Sequence, residues 1–90
     1  DRIIMGRDDG CDLVIESMAA SRQHCTLEYW RGEFLIRDHS SNGTYVTVAR
    51  NAEIALLADK IPLPEQGAIA IGEPRAQAQA VVEFCYALVT

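Results

Sequence analysis

Polar residues with the chemistry of an anion site occur in three short clusters along the chain. The first is Gly6-Arg7, the second is "SRQH" (residues 21–24), and the third is "SSNGT" (residues 40–44). Together they offer two guanidinium groups, several hydroxyls and an amide, which are mostly hydrogen-bond donors. Such donors suit a phosphorylated side chain, which carries about −1.5 to −2 charges near neutral pH and three acceptor oxygens. The residue types therefore predict a phosphate site if the three clusters meet.

Individual residues in these clusters have distinct expected parts. Arg7 and Arg22 each present a rigid fork of N–H donors that matches phosphate oxygens. Gly6 and Gly43 would allow the backbone to approach closely or to adopt a positive φ. For His24 we favour a structural role, because its ring is placed to bridge neighbouring loops by hydrogen bonds. Each cluster taken alone is equally typical of a solvated or side-chain-capped turn, so only their combination is informative.

A catalytic alternative uses Ser21, His24 and Asp38, which are the residue types of a hydrolytic triad. However, no nucleophile-elbow sequence surrounds Ser21, and a chain of 90 residues leaves little room for a substrate pocket. We therefore expect no catalytic residue and no enzyme activity in this domain.

Composition argues against several other classes of function. The net charge of −5 disfavours nucleic-acid binding, because counterion release requires a basic surface. No segment approaches the roughly 18 apolar residues of a membrane span. Cys11, Cys25 and Cys85 lack CxxC spacing, so we expect no metal site and no cofactor. Their thiols are predicted to act as small buried hydrophobes in a reducing cytoplasm.

The segments that must position the clusters read as short β-strands. In "CTLEYW" (residues 25–30) apolar and polar residues alternate, which is typical of a half-buried strand. Arg31-Gly32 then predicts a tight hairpin turn into "EFLIRD". "RIIM", "LVI", "TYVTV", "EIAL", "KIPL", "AIAI" and the closing "AVVEFCYALV" read as further strands, and "EPRAQAQA" as a loop. This pattern predicts an all-β antiparallel sandwich, in which loops from different strands gather at one end.

The order and spacing of these segments resemble the forkhead-associated (FHA) domain. The matching segments are "IIMGR", "CDLVI", "SRQH", "FLIRDHSSNGTYV" and "LPEQGAIAIG", from about Ile3 to Tyr86. The resemblance implies a sandwich of about eleven short strands whose end loops bind phosphothreonine peptides. We expect residues 1–90 to form a single FHA domain and to be a fragment of a longer protein. Within these residues the first one or two strands of the family are expected to be missing.

The resemblance also implies a role for each matching residue. Arg7, Ser21 and Arg22 would contact the phosphate, and Ser41 would add a further contact. Asn42 would hold the main chain of the peptide. The remaining matching residues would support the site without touching the ligand, and these are Gly6, His24, Gly43 and Thr44.

Two departures from the family bear on the choice of peptide. Asp8, Asp9 and Asp12 flank the predicted cradle and would disfavour acidic peptides. Ala19 stands where some members carry an arginine that favours an acidic residue in the peptide, so that preference is not supported here.

The expected partner is a phosphothreonine-containing protein or peptide in cytoplasmic signalling, with no nucleic acid and no membrane. The alternative is a phosphate-independent interaction or oligomerisation module on the same fold. An unpaired strand edge would then support a weak homo-oligomer.

Overall fold

Nine strands run through residues 1–50 and 52–86, which are the residues that the computed structural model describes. The count of about eleven strands is not confirmed within this part of the chain. Residues 87–89, the end of the predicted closing strand, lie outside the described residues. The strands are β1 (Arg2–Gly6), β2 (Leu13–Val14), β3 (Cys25–Trp30), β4 (Glu33–Asp38), β5 (Thr44–Ala49), β6 (Ala52–Leu56), β7 (Lys60–Pro62), β8 (Gln66–Ile71) and β9 (Val81–Cys85).

The strands form two sheets, with orders β2-β1-β3-β4-β7 and β6-β5-β8-β9. All neighbouring strands are antiparallel except β1 and β2, which are parallel. This arrangement confirms the predicted all-β sandwich, and the stretch "EPRAQAQA" forms turns and loop as expected. No helix long and apolar enough to cross a membrane occurs in the described part of the chain.

Strand register places the three polar clusters at one end of the first sheet. Cys25, where β3 begins, pairs with both Met5 of β1 and Asp38 of β4. The residues that follow β1, precede β3 and follow β4 therefore emerge at the same edge. We call this edge the loop end, formed by residues 6–12, 15–24 and 39–43.

The hairpin between β3 and β4 lies at the opposite end of the same sheet. Its turn residues, Arg31 and Gly32, both have positive φ, at 50° and 80°. Two consecutive residues of this kind make a type I′ turn, whose twist matches that of the flanking strands. The predicted Arg31-Gly32 turn is confirmed.

Apolar side chains from both sheets fill the space between them, and burial of this kind contributes about 25 cal/mol per Å² of apolar surface. The most deeply buried of these side chains, each at most 1% exposed, include Met5, Ile36, Val46, Leu56, Ile69 and Ile71.

The three cysteines occupy different environments. Cys25 is fully buried in the core, and burial raises the pKa of its thiol to about 12. It therefore behaves as the small hydrophobe that the sequence predicts. Cys11 is only partly covered and Cys85 is exposed, so the prediction of buried thiols is wrong for Cys85. In its strand, β9, alternate residues are exposed, and Cys85 lies on the same face as the exposed Val81 and Glu83.

Candidate functional site

Hydrogen bonds join the three polar clusters directly at the loop end. The N–H of Arg7 donates to the carbonyl of Ser21 at 2.9 Å, and the N–H of Asp8 donates to the carbonyl of Arg22 at 3.1 Å. The N–H of Ser41 donates to Oγ of Ser21 at 3.1 Å. The second cluster therefore lies between the first and the third and contacts both.

The close approach of the first two clusters requires a glycine. A Cβ atom on Gly6 would lie 2.1 Å from the carbonyl oxygen of Arg22, a distance that no side chain tolerates. Gly43 is needed for a different reason, because its φ of 96° is one that L side chains rarely adopt. Both residues are placed where the architectural role expected for them is physically required.

His24 is fully buried and links the second cluster to the third. Its Nδ1 accepts a hydrogen bond from the N–H of Ser21 at 3.0 Å, so the ring proton resides on Nε2. Nε2 then donates to the carbonyl of Gly43 at 2.8 Å. Burial lowers the pKa of His24, although the bond to Gly43 and the charge of Asp38 oppose the shift. The ring is therefore a neutral bridge between two loops.

Asp38 organises the third cluster and is only 2% exposed. Its Oδ1 accepts hydrogen bonds from the hydroxyl and N–H of Ser40 and from Oγ1 of Thr44, and its Oδ2 accepts the N–H of Ala58 at 2.8 Å. Burial alone raises the pKa of Asp38, but these bonds outweigh it and the net shift is downward. The carboxylate therefore stays charged and holds the loop that carries Ser41 and Asn42.

Asp38 and Ser40 are support residues that the sequence analysis did not assign. An Asp followed two residues later by Ser is a signal for a turn in which the carboxylate accepts the backbone N–H, and this contact is present at 3.2 Å. Thr44, which was expected to support the site, is fully buried and donates to the same carboxylate oxygen at 2.7 Å. Ser40 and Thr44 therefore share one acceptor, Oδ1 of Asp38, which explains the spacing of these residues.

Arg7 and Arg22 line one cavity of about 340 Å³ together with Asp8 and Asp9. Nε of Arg7 donates to the carbonyl of Ala20 at 3.0 Å, which anchors the side chain. No other side-chain hydrogen bond among the described residues involves Arg7, so its two terminal nitrogens remain available. The cavity thus has two guanidinium groups with free donors.

Ser21, Ser41 and Asn42 stand beside one another with spare hydrogen-bonding capacity. Oγ of Ser21 is used as an acceptor, so its hydroxyl proton remains free to donate. Asn42 donates through Nδ2 to the carbonyl of Ala19 at 3.1 Å, and retains a second N–H and its carbonyl oxygen. Ser21, Ser41 and Asn42 therefore adjoin one another at the loop end, and each keeps at least one group for a ligand, whereas the cavity with the two arginines is lined by Arg7, Arg22, Asp8 and Asp9.

The residues of the catalytic alternative do not form a triad. Both nitrogens of the His24 ring are bonded to backbone groups, so neither contacts Oγ of Ser21. Asp38 accepts hydrogen bonds from two hydroxyls and two backbone N–H groups instead of from the imidazole. Within the described ranges, no group of three His, Cys, Asp or Glu side chains is placed to hold a metal ion. The described side chains of this region therefore offer hydrogen-bond donors and charge, and Ser21 and His24 are not arranged as a nucleophile and its base.

A family model described as the FHA domain matches residues 3–72, which include every residue of the loop end. The chain belongs to the FHA family. FHA domains are interaction modules. A comparison with curated protein sequences returned no match.

Solved FHA structures resemble this chain along most of its length. An FHA domain of an Arabidopsis thaliana protein has a TM-score of 0.71 at 24% identity, covering 100% of this chain and 72% of its own. EmbR of Mycobacterium tuberculosis, solved with a low-affinity phosphopeptide, has a TM-score of 0.63 at 27% identity, with 78% of this chain and 17% of EmbR covered. The MEK1 FHA domain, solved with a phosphothreonine peptide of HOP1, has a TM-score of 0.64 at 25% identity, covering 79% of this chain and 72% of its own.

Proposed function

We propose that the chain is a phosphothreonine-peptide recognition module that mediates phosphorylation-dependent protein–protein interaction. The observation that carries the proposal is the meeting of Arg7, Ser21 and Asn42 at the loop end, where each keeps a free donor. In this proposal Arg7 and Arg22 bind the phosphate oxygens, with Ser21 and Ser41 adding hydroxyl donors.

Asn42 has a separate part in the proposal, because its remaining amide groups hold the main chain of the peptide. Gly6, His24, Gly43 and Thr44 maintain the loop positions through the close approach and hydrogen bonds described above. No covalent step and no cofactor is involved. Because only a short extended segment is held, we expect a micromolar Kd, which corresponds to roughly −8 kcal/mol.

The proposal also covers the cellular location of the module and its partners. We place the module in the cytoplasm as a domain of a longer signalling protein, and the free cysteines are in keeping with a reducing compartment. The net charge of −5 argues against nucleic acid as a partner. The edge strand β2 leaves Leu13 and Val14 each 40% exposed, so weak self-association through this edge stays a prediction.

The direct test compares a phosphothreonine peptide with its unphosphorylated twin by calorimetry. We expect micromolar binding of the first and no measurable binding of the second. Equal affinity for both would favour the alternative, a phosphate-independent interaction module. The affinity for the phosphopeptide should also fall as the pH drops through about 6, because the phosphate then loses its second charge.

Arg7→Ala tests which residue binds the phosphate. We expect the affinity to fall about 30-fold or more, since charge-assisted hydrogen bonds contribute roughly 1.5–3 kcal/mol each. The matched control is Arg2→Ala, which removes the same charge from the exposed start of β1, at the opposite end of the strand. Retention of affinity in Arg7→Ala would show that the phosphate binds elsewhere.

A further inference from the structure

We propose that the site prefers phosphothreonine peptides with a basic side chain close to the phosphorylated residue, and that Asp8 and Asp9 determine this preference. The inference rests on the function proposed above and concerns the same cavity. Two arginines and two aspartates line that cavity, which is about 340 Å³ in volume. A lining with both signs of charge suits a ligand with both signs of charge.

The opposite charges in this cavity are not consumed by pairing with each other. Neither of the ion pairs among the described residues includes Arg7, Arg22, Asp8 or Asp9. Backbone groups hold the side chains instead: Nε of Arg7 binds a carbonyl, and Oδ1 of Asp8 accepts the N–H of Gly10 at 3.0 Å. The guanidinium groups therefore remain available to an anion and the carboxylates to a cation.

Asp12, the third acidic residue of this region, is not assigned a part in peptide selectivity. Oδ2 of Asp12 accepts the N–H of Ile4 at 2.8 Å, along strand β1, and Asp12 does not line the cavity. Asp8 and Asp9 follow Arg7 directly in the chain and line the same cavity as the guanidinium that carries the proposed phosphate contact. The selectivity is therefore assigned to these two aspartates and not to the acidic stretch as a whole.

The reach of a peptide side chain is sufficient to satisfy both charges at once. An extended peptide advances about 3.3 Å per residue. A Lys or Arg within two residues of the phosphothreonine can therefore meet Asp8 or Asp9 while the phosphate stays on the arginines. A Glu at the same place would instead face like charge. Because exposed ion pairs are weak, we expect about a threefold gain from Ala to Lys and about a tenfold difference between Lys and Glu.

The test uses three phosphothreonine peptides that differ only at two positions, two residues before and two residues after the phosphothreonine. Both positions are Lys in the first peptide, Ala in the second and Glu in the third. With the unaltered protein we expect affinity to rank Lys, then Ala, then Glu, and the differences to shrink in 0.5 M salt. In the Asp8→Asn/Asp9→Asn protein the three affinities should converge. Asn keeps an oxygen that can accept the N–H of Gly10, so the turn is retained.

The matched control is Glu33→Gln/Glu65→Gln, which makes the same change in net charge at two exposed residues near the opposite end of the sandwich. It should keep the ranking of the unaltered protein. If the double aspartate variant unfolds, Asp9→Asn alone serves, because no side-chain hydrogen bond among the described residues involves Asp9. It should reduce the difference between Lys and Glu by about half on a logarithmic scale.

The outcomes separate this inference from the proposed function. If the Ala peptide binds but the Lys and Glu peptides bind equally, the inference is overturned and phosphopeptide recognition stands. A ranking that persists in the aspartate variants also overturns it. If none of the three phosphopeptides binds, the proposed function itself has failed.

Discussion

The loop end and the opposite end of the sandwich are held together by different kinds of contact. At the loop end, the buried polar side chains of His24, Asp38 and Thr44 hydrogen-bond to neighbouring loops. At the opposite end, Phe34 packs between Tyr29 and Tyr86, with ring centroids 4.7 and 4.6 Å apart. One end is a network of directional bonds, and the other is a cluster of aromatic rings.

This difference bears on why the proposed binding site lies at the loop end. Hydrogen bonds fix both distance and angle, so the network determines where Ser21, Ser41 and Asn42 present their remaining donors. Aromatic packing is non-directional by comparison and tolerates small shifts. A network also has a cost, since each member that is lost leaves buried partners unsatisfied. The loop end should therefore be the more fragile of the two.

The largest effect is expected from Asp38→Ala. The change leaves the hydroxyls of Ser40 and Thr44 and the N–H of Ala58 without their acceptor, so we expect a loss of about 3–5 kcal/mol in the free energy of unfolding. Phosphopeptide affinity should fall with it. Urea unfolding and calorimetry measure the two effects.

The comparison variant for this experiment is Phe34→Leu in the aromatic cluster. It should cost only about 1–2 kcal/mol and leave the affinity unchanged, because Phe34 lies next to the β3–β4 hairpin, at the opposite end of the sheet from the loop end. Equal losses of stability and affinity in the two variants would contradict the distinction between the ends.

A smaller effect is expected from pH, through the His24 bridge. The folded protein lowers the pKa of this ring below its ordinary value of 6.5, so the unfolded chain binds the proton more readily. The stabilisation is complete above pH 6.5 and is lost as the pH falls from there to the folded-state value. In that window one proton changes the free energy of unfolding by at most about 1.4 kcal/mol per pH unit.

Urea unfolding of the free domain between pH 8 and pH 5 measures this slope. His24→Gln should flatten the profile over that window while lowering stability by about 1–3 kcal/mol at pH 8. A profile that His24→Gln leaves intact would place the titrating group elsewhere. Asp38, whose pKa is lowered, loses its contribution only in more acid solution, below about pH 3.8.

The smallest effects come from one substitution made at both ends, Gly43→Ala and Gly32→Ala. Both glycines have positive φ, so each change strains the backbone by about 1–2 kcal/mol. A Cβ on Gly43 also meets Cδ2 of Leu57 at 2.9 Å, whereas nothing lies within 4 Å of one on Gly32. We expect Gly43→Ala to weaken peptide binding and Gly32→Ala to leave it unchanged. Equal affinities in the two variants would argue against a rigid loop end.

Local features of the fold were predictable because neighbouring residues carry them. The strand at "CTLEYW" and the Arg31-Gly32 turn depend on a few neighbouring residues, and both are confirmed. The alternation in burial expected along this strand is not observed, because burial instead decreases from Cys25 to Trp30. The parallel pairing of β1 with β2 was not predicted, since it depends on how the loop between them folds back. Exposure of Cys85 was likewise missed, although the alternation along β9 puts it on the same exposed face as Glu83.

The candidate site was likewise predictable in part from the sequence and in part only from the structure. Residue types and their order were enough to select Arg7, Ser21 and Asn42 and to assign a supporting role to His24. Only the folded chain distinguishes the carboxylate of Asp38, which is buried in a hydrogen-bond network, from those of Asp8 and Asp9, which line the cavity with the arginines. The atoms of each side chain set which hydrogen bonds and charges it can offer, but its hydrogen-bond partners come from loops far away in the chain. Those partners are decided by tertiary structure.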